Sequence, residues 1–248
     1  VDVDAEALQC THKPKVPECD ACEQSYIQAA PARASNTDSA DYETNTDNMN
    51  SDLIILQEPD CNGNVAMYHG FLTKGKVGYV AGMKDKASAT SAKHGRISKC
   101  WMQHTARAGG RLDYIISSEK SDQGSEFKGA YKAQNLSEEG KVSVWQTMGD
   151  ADRHECGAQI ENENKWLAVE ATAMSITGTA NEDQMVAVAG EALIAARGVL
   201  NHTIRGKKQK ELGRTGWELL ASEEAGTSRE MLKTEPKFMS LVYCIVKK

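Results

Sequence analysis

Cys10, His12, Cys19 and Cys22 lie within thirteen residues and form the densest set of metal-competent side chains in the chain. Zinc takes four such ligands at tetrahedral reach, and the Cys19-x2-Cys22 spacing offers two of them from one turn. Cys10-x-His12 is an unusual first half. The same thiols serve equally well as half-cystines. Seven cysteines (Cys10, Cys19, Cys22, Cys61, Cys100, Cys156 and Cys244) are spread along the 248 residues. Cross-linking staples are distributed in this way, and an odd count leaves one thiol over after three bridges. The spread favours disulfides, and all seven are disulfide candidates. No metal ligand and no cofactor-binding residue is assigned, and a zinc knuckle over 10–22 is kept as the intracellular alternative.

Other chemistry-bearing patterns are incomplete. Ser117-Ser118-Glu119-Lys120 has the spacing of a serine nucleophile and its lysine, but that chemistry needs a helix start and partners further along. Phosphate-cradling glycine loops, dinucleotide fingerprints, zinc-protease helices and EF-hand loops are missing from the sequence. No catalytic residue is assigned on these grounds.

Tyr68-His69-Gly70 resembles the first motif of the diphtheria-type ADP-ribosyltransferases. The resemblance implies that His69, with Tyr68 and a later aromatic such as Tyr131, holds a nicotinamide cofactor. It covers three residues, and 129–131 is a poor second motif. A second resemblance is carried by 212–220, LGRTGWELL, which looks like the tail of small bacterial domains of unknown function. It implies a helix stop followed by a core aromatic and a strand.

The elements that would position these residues follow from periodicity. Met185, Val188, Ala192, Leu193, Ala196, Val199 and Leu200 recur at helical steps, with Asn181 as N-cap and Gln184 three residues on. This predicts one main long helix over about 181–212. Short strand-like runs precede it: 53–56, 65–72, 77–83, 97–104, 112–117, 142–148 and 166–176. After it, 217–221 and 238–246 read as a C-terminal hairpin. The fold class expected is therefore α+β: a largely antiparallel sheet with one long helix packed on it. Residues 31–52 are nearly all small and polar, which reads as a linker. This divides the chain into a Cys-containing segment, 1–52, and a single α+β domain, 53–248.

A net charge of −6 argues against a nucleic-acid partner, and no apolar run approaches the length of a membrane span. Asn135 and Asn201 open glycosylation sequons. Together these features point to a secreted or surface-displayed glycoprotein, held by disulfides, that binds a protein or cell-surface partner as an antigen or assembly subunit does. A covalent or non-covalent oligomer is compatible with the odd thiol. An enzyme with a dispersed site at Tyr68 and His69 is the alternative.

Overall fold

The computed structural model describes residues 19–22, 45–121, 125–127, 145–148, 154–179, 181–205 and 207–234. Its centre is a five-stranded sheet of β1 (Thr46–Ile55), β2 (Ala66–Leu72), β3 (Gly78–Met83), β4 (Ile115–Ser121) and β5 (Trp145–Met148), in the order β3-β2-β1-β4-β5. Two hairpin turns join β1, β2 and β3 as antiparallel neighbours. On the other side β1 pairs with β4, and β4 with β5, in parallel. The sheet is mixed, so the largely antiparallel arrangement expected from the sequence is corrected. Parallel neighbours need a crossover, and the β3-to-β4 crossover is made by helix α1 (Ser88–Ala108).

Helices cover both faces. Successive strand residues point to opposite sides, which gives the sheet two separate cores. On one side Met67 and Val80 pack with Leu167, Ala171 and Met174 of α2 (His154–Gly178) and with Ala192, Leu193, Ala196 and Leu200 of α4 (Ala189–Asn201). On the other side Met49, Leu72, Tyr114 and Ile116 pack with Met102 and Ala106 of α1, while Leu53, Ala66, Tyr68 and Met83 enclose Ala92 and Phe127. Short helices α3 (Glu182–Ala187), α5 (Lys207–Leu212), α6 (Gly216–Leu220) and α7 (Thr227–Thr234) complete the described fold.

The helix expected over 181–212 is present in three pieces, α3, α4 and α5. Asn181 caps α3 by accepting from the Gln184 amide, as its sequence position implies. The chain then breaks at Val188, whose φ of −103° and ψ of 9° leave the helical range. Gly190 follows because α4 starts against the 60–64 loop: a β-carbon there would lie 2.1 Å from Asp60 Oδ2. Gly213, with φ +63°, ends α5 in the left-handed conformation.

Three expected strands are helical. Residues 97–104 lie in α1, 166–176 in α2 and 217–221 around α6. In α1 the buried positions are Ser91, Ala92, Gly95, Ser98, Met102 and Ala106. Their spacing is helical, but small side chains carry it, and so no apolar stripe announces the helix. Small residues also let α1 lie close to the sheet: a β-carbon on Gly70 would sit 2.7 Å from Ser98 Oγ. Helix α2 is buried on more than one side, at Leu167, Val169, Glu170, Ala171, Ala173 and Met174, which imitates strand alternation. Helix α6 begins with a full capping box, Thr215 and Glu218 each closing the other's backbone amide. One arm of the expected C-terminal hairpin is thus helical, and the other, 238–246, lies outside the described residues. The 52/53 boundary falls inside β1, the central strand, which runs unbroken from Thr46 to Ile55.

Candidate functional site

Strand β1 carries the polar run Thr46-Asp47-Asn48-Met49-Asn50-Ser51-Asp52 through the middle of the sheet. Alternation divides it, and each half builds a polar network on its own side.

On the α2/α4 side, Asn164 joins two strands. Its Nδ2 donates to Asp52 Oδ2 at 2.7 Å, and its Oδ1 accepts from His69 Nδ1 at 2.6 Å. That pairing fixes the His69 tautomer, leaving Nε2 as a buried acceptor without a hydrogen-bond partner. His69 is fully enclosed, and burial followed by the nearby Arg197 charge pushes its pKa down to about 3. It is therefore a neutral imidazole at every physiological pH. Beside it Glu163 Oε2 receives Arg197 Nη1 at 3.1 Å and Arg205 Nη2 at 2.8 Å. Burial alone would raise the Glu163 pKa; the two guanidiniums override it and hold the carboxyl below its ordinary value. Both guanidiniums and Lys76 Nζ stand over the Phe71 ring, at 5.4, 6.0 and 5.7 Å from its centroid. Gly78 makes room for this: a β-carbon there would meet the Arg197 side chain at 2.8 Å.

On the α1 side, Glu119 is the centre. Its Oε1 accepts from Ser51 Oγ at 3.0 Å and from Tyr68 OH at 3.2 Å, and Lys99 Nζ lies 3.2 Å from Oε2. Burial raises the Glu119 pKa, opposed by Lys99 and the two hydroxyls. The Tyr68 hydroxyl is likewise raised, by burial and then by the Glu119 charge. A second acid on this side, Asp47, holds the β2–β3 turn to β1 by accepting from the amides of Lys74 and Gly75 and from Tyr114 OH.

A third cluster joins the short helices. Ser228 Oγ lies 2.9 Å from His202 Nδ1 and 2.9 Å from Thr215 Oγ1, and Glu218 Oε1 accepts from the Gly226 and Ser228 amides. The serine–histidine contact has nucleophilic geometry, but Ser228 has no solvent exposure and His202 is buried against Trp217. It holds α4, α6 and α7 together.

These positions decide several sequence expectations. Tyr68 and His69, offered as neighbours in one dispersed site, project to opposite faces of the sheet and belong to separate networks. Tyr131 lies outside the described residues. Residues 117–120 are in β4, not at the helix start that serine–lysine chemistry needs: Ser117 and Ser118 bond to Asn48 Oδ1, and Glu119 points inward. Cys10, His12 and Cys244, the side chain of Cys156, and Asn135 are outside the described residues; Cys22 is buried and Cys19 half-buried. Cys61 and Cys100 are exposed, unbridged thiols. Asn201 is buried, and its amide is committed to both backbone groups of Gly78 at 2.8 and 2.9 Å and to Arg197 Nε. A glycan there would break all of these bonds, which removes Asn201 as an acceptor in the folded chain.

What the sequence did not reveal is the outer face of α1. Lys93, Arg96, Ile97, Cys100, His104 and Arg107 are exposed along it, and with the half-buried Trp101 and Gln103 most of them line an open depression. Among the described residues no group of three or more His, Cys, Asp and Glu side chains converges as metal ligands would, and no helix is long and apolar enough to cross a membrane. Compared with known families and with curated proteins, the chain matches no family model and no curated sequence.

Proposed function

We propose that this chain is a recognition module that binds a protein partner through its surface rather than a catalyst. One observation carries the reading. The alternation of β2 sends Tyr68 and His69 into two closed networks on opposite faces, both fully buried, while α1 offers solvent an apolar and basic face. A catalytic histidine needs a hydrogen-bonding path to substrate; His69 Nε2 faces protein on all sides. Placement outside the cell or on its surface, with partial disulfide cross-linking, is part of the same proposal and rests on the cysteine content.

The test sets the reading against a nicotinamide-dependent transferase. Purified protein is incubated with NAD, and nicotinamide release is followed together with the heat of binding. Recognition predicts neither. Release that His69→Ala abolishes overturns the proposal. The extracellular half is read from intact mass after alkylation of native protein: modification at Cys61 and Cys100, with others reacting only after reduction, supports it, and seven modified thiols without reduction contradict it.

A further inference from the structure

From the outer face of α1 we infer the chemistry of the partner: an acidic, amphipathic polypeptide segment that packs along Lys93–Arg107. This deepens the recognition reading and rests on it. Helix α1 contains Lys93, Arg96, Lys99 and Arg107 and no aspartate or glutamate in its 21 residues, in a chain whose net charge is −6. Lys99 is turned inward to Glu119. The other three cations remain on the exposed face, on one stripe with Ile97, Cys100 and His104 at helical three- and four-residue steps. The stripe from 93 to 107 is ~21 Å long at 1.5 Å per residue, the length of about four helical turns.

The face is built to stay in place. The Trp101 ring packs at a tilt against Tyr79 and Trp217, with centroids 5.9 and 5.7 Å away, and the Trp217 ring in turn meets His202 at 5.2 Å. An aromatic fixed in this way presents its exposed edge without losing rotamer freedom on binding, as interface anchors do. Beside it, Ile97 is exposed although apolar.

Charge selects the occupant. A second copy is disfavoured: an antiparallel pairing about Cys100 sets Lys93 against Arg107 and Arg96 against His104, and a parallel pairing sets each cation against itself. A nucleic acid is disfavoured by the overall negative charge and by Trp101 being held between two other rings, away from base stacking. A segment with apolar residues for Ile97, Cys100 and the Trp101 edge, flanked by carboxylates for Arg96, Arg107 and Lys93, satisfies both parts of the face.

The experiment titrates the full chain with three synthetic 18-residue amphipathic peptides that share a leucine face and carry Glu, Gln or Lys on their flanks; tryptophan fluorescence is the readout. The Glu peptide binds at least 10-fold more tightly than the Gln peptide, the Lys peptide does not bind, and raising salt from ~50 to ~500 mM weakens the complex. The double variant Arg96→Glu, Arg107→Glu reverses the preference between the Glu and Lys peptides, with circular dichroism confirming the fold. Equal binding of the Glu and Lys peptides overturns the inference, as does an unchanged double variant, tighter binding of a 20-base-pair DNA, or a self-associated dimer in sedimentation. If the Gln peptide binds best and Ile97→Asp abolishes that binding, the acidic partner is wrong while recognition by α1 stands. Nicotinamide release from NAD is the separate result that removes the recognition reading itself.

Discussion

Glu163 and Glu119 are carboxylates enclosed on opposite faces of one sheet, and their pKa values move in opposite directions. Glu163 meets two guanidiniums and is lowered; Glu119 meets one ammonium and two hydroxyls and is raised. Burial raises both, so the difference lies in the cations. Two arginines outweigh the desolvation of Glu163, and one lysine does not outweigh that of Glu119. The comparison separates an ion pair on which the packing of α2, α4 and the β3 edge depends from a carboxyl that the fold tolerates. Each is engaged by side chains of its own layer.

The pH dependence has opposite signs at the two positions. The contribution of Glu163 is present above the ordinary glutamate value of 4.5 and is lost as pH falls through its lowered pKa. That of Glu119 is fully present below 4.5 and is lost as pH rises through its raised pKa.

The largest effect is expected at the arginine pair. Glu163→Gln leaves Arg197 and Arg205 without a counter-charge and costs roughly 3–5 kcal/mol in urea unfolding at neutral pH. Asn164→Ala orphans His69 Nδ1 and costs about 1–3 kcal/mol; a loss as large as that of Glu163→Gln breaks the ranking. Tyr68→Phe on the other face removes one bond to Glu119 and costs about 0.5–1.5 kcal/mol. Smallest is Glu119→Gln, within ~1 kcal/mol of the parent at neutral pH, because Lys99 can turn to water and the uncharged amide relieves a burial cost. The decline in unfolding free energy that Glu119 contributes as pH rises from 4.5 is absent from this variant. A loss of several kcal/mol there would place Glu119 in the same class as Glu163.

How much of this was legible depended on what each residue was asked to signal. The apolar stripe of α4, the N-cap Asn181 and the hairpin strands β2 and β3 announce themselves because apolar side chains or a capping geometry carry the pattern. Strand β1 does not: Asp47, Asn50, Ser51 and Asp52 read as a linker because their burial is made tolerable by partners 26 to 112 residues away, which no local window contains. Helix α1 is hidden because Ser91, Gly95 and Ser98 replace the apolar residues that would show its period. At the site, His69 was identified as a residue of interest, but Asn164, Glu163, Arg197 and Arg205 were not, since α4 and the long α2 had first to be placed on the same face. Pairing Tyr68 with His69 overlooked the alternation that a strand imposes.

Chemical labelling of histidines in the native protein tests the central claim, that the chemistry-bearing side chains are sealed within the sandwich while α1 faces outward. Diethyl pyrocarbonate reacts with accessible neutral imidazoles, and peptide mass mapping assigns the sites. The account predicts rapid modification of His104 on the exposed face of α1 and none at His69 until the chain unfolds. Modification of His69 at a rate comparable to His104, with the fold intact, would contradict it and return His69 to the list of candidate catalysts.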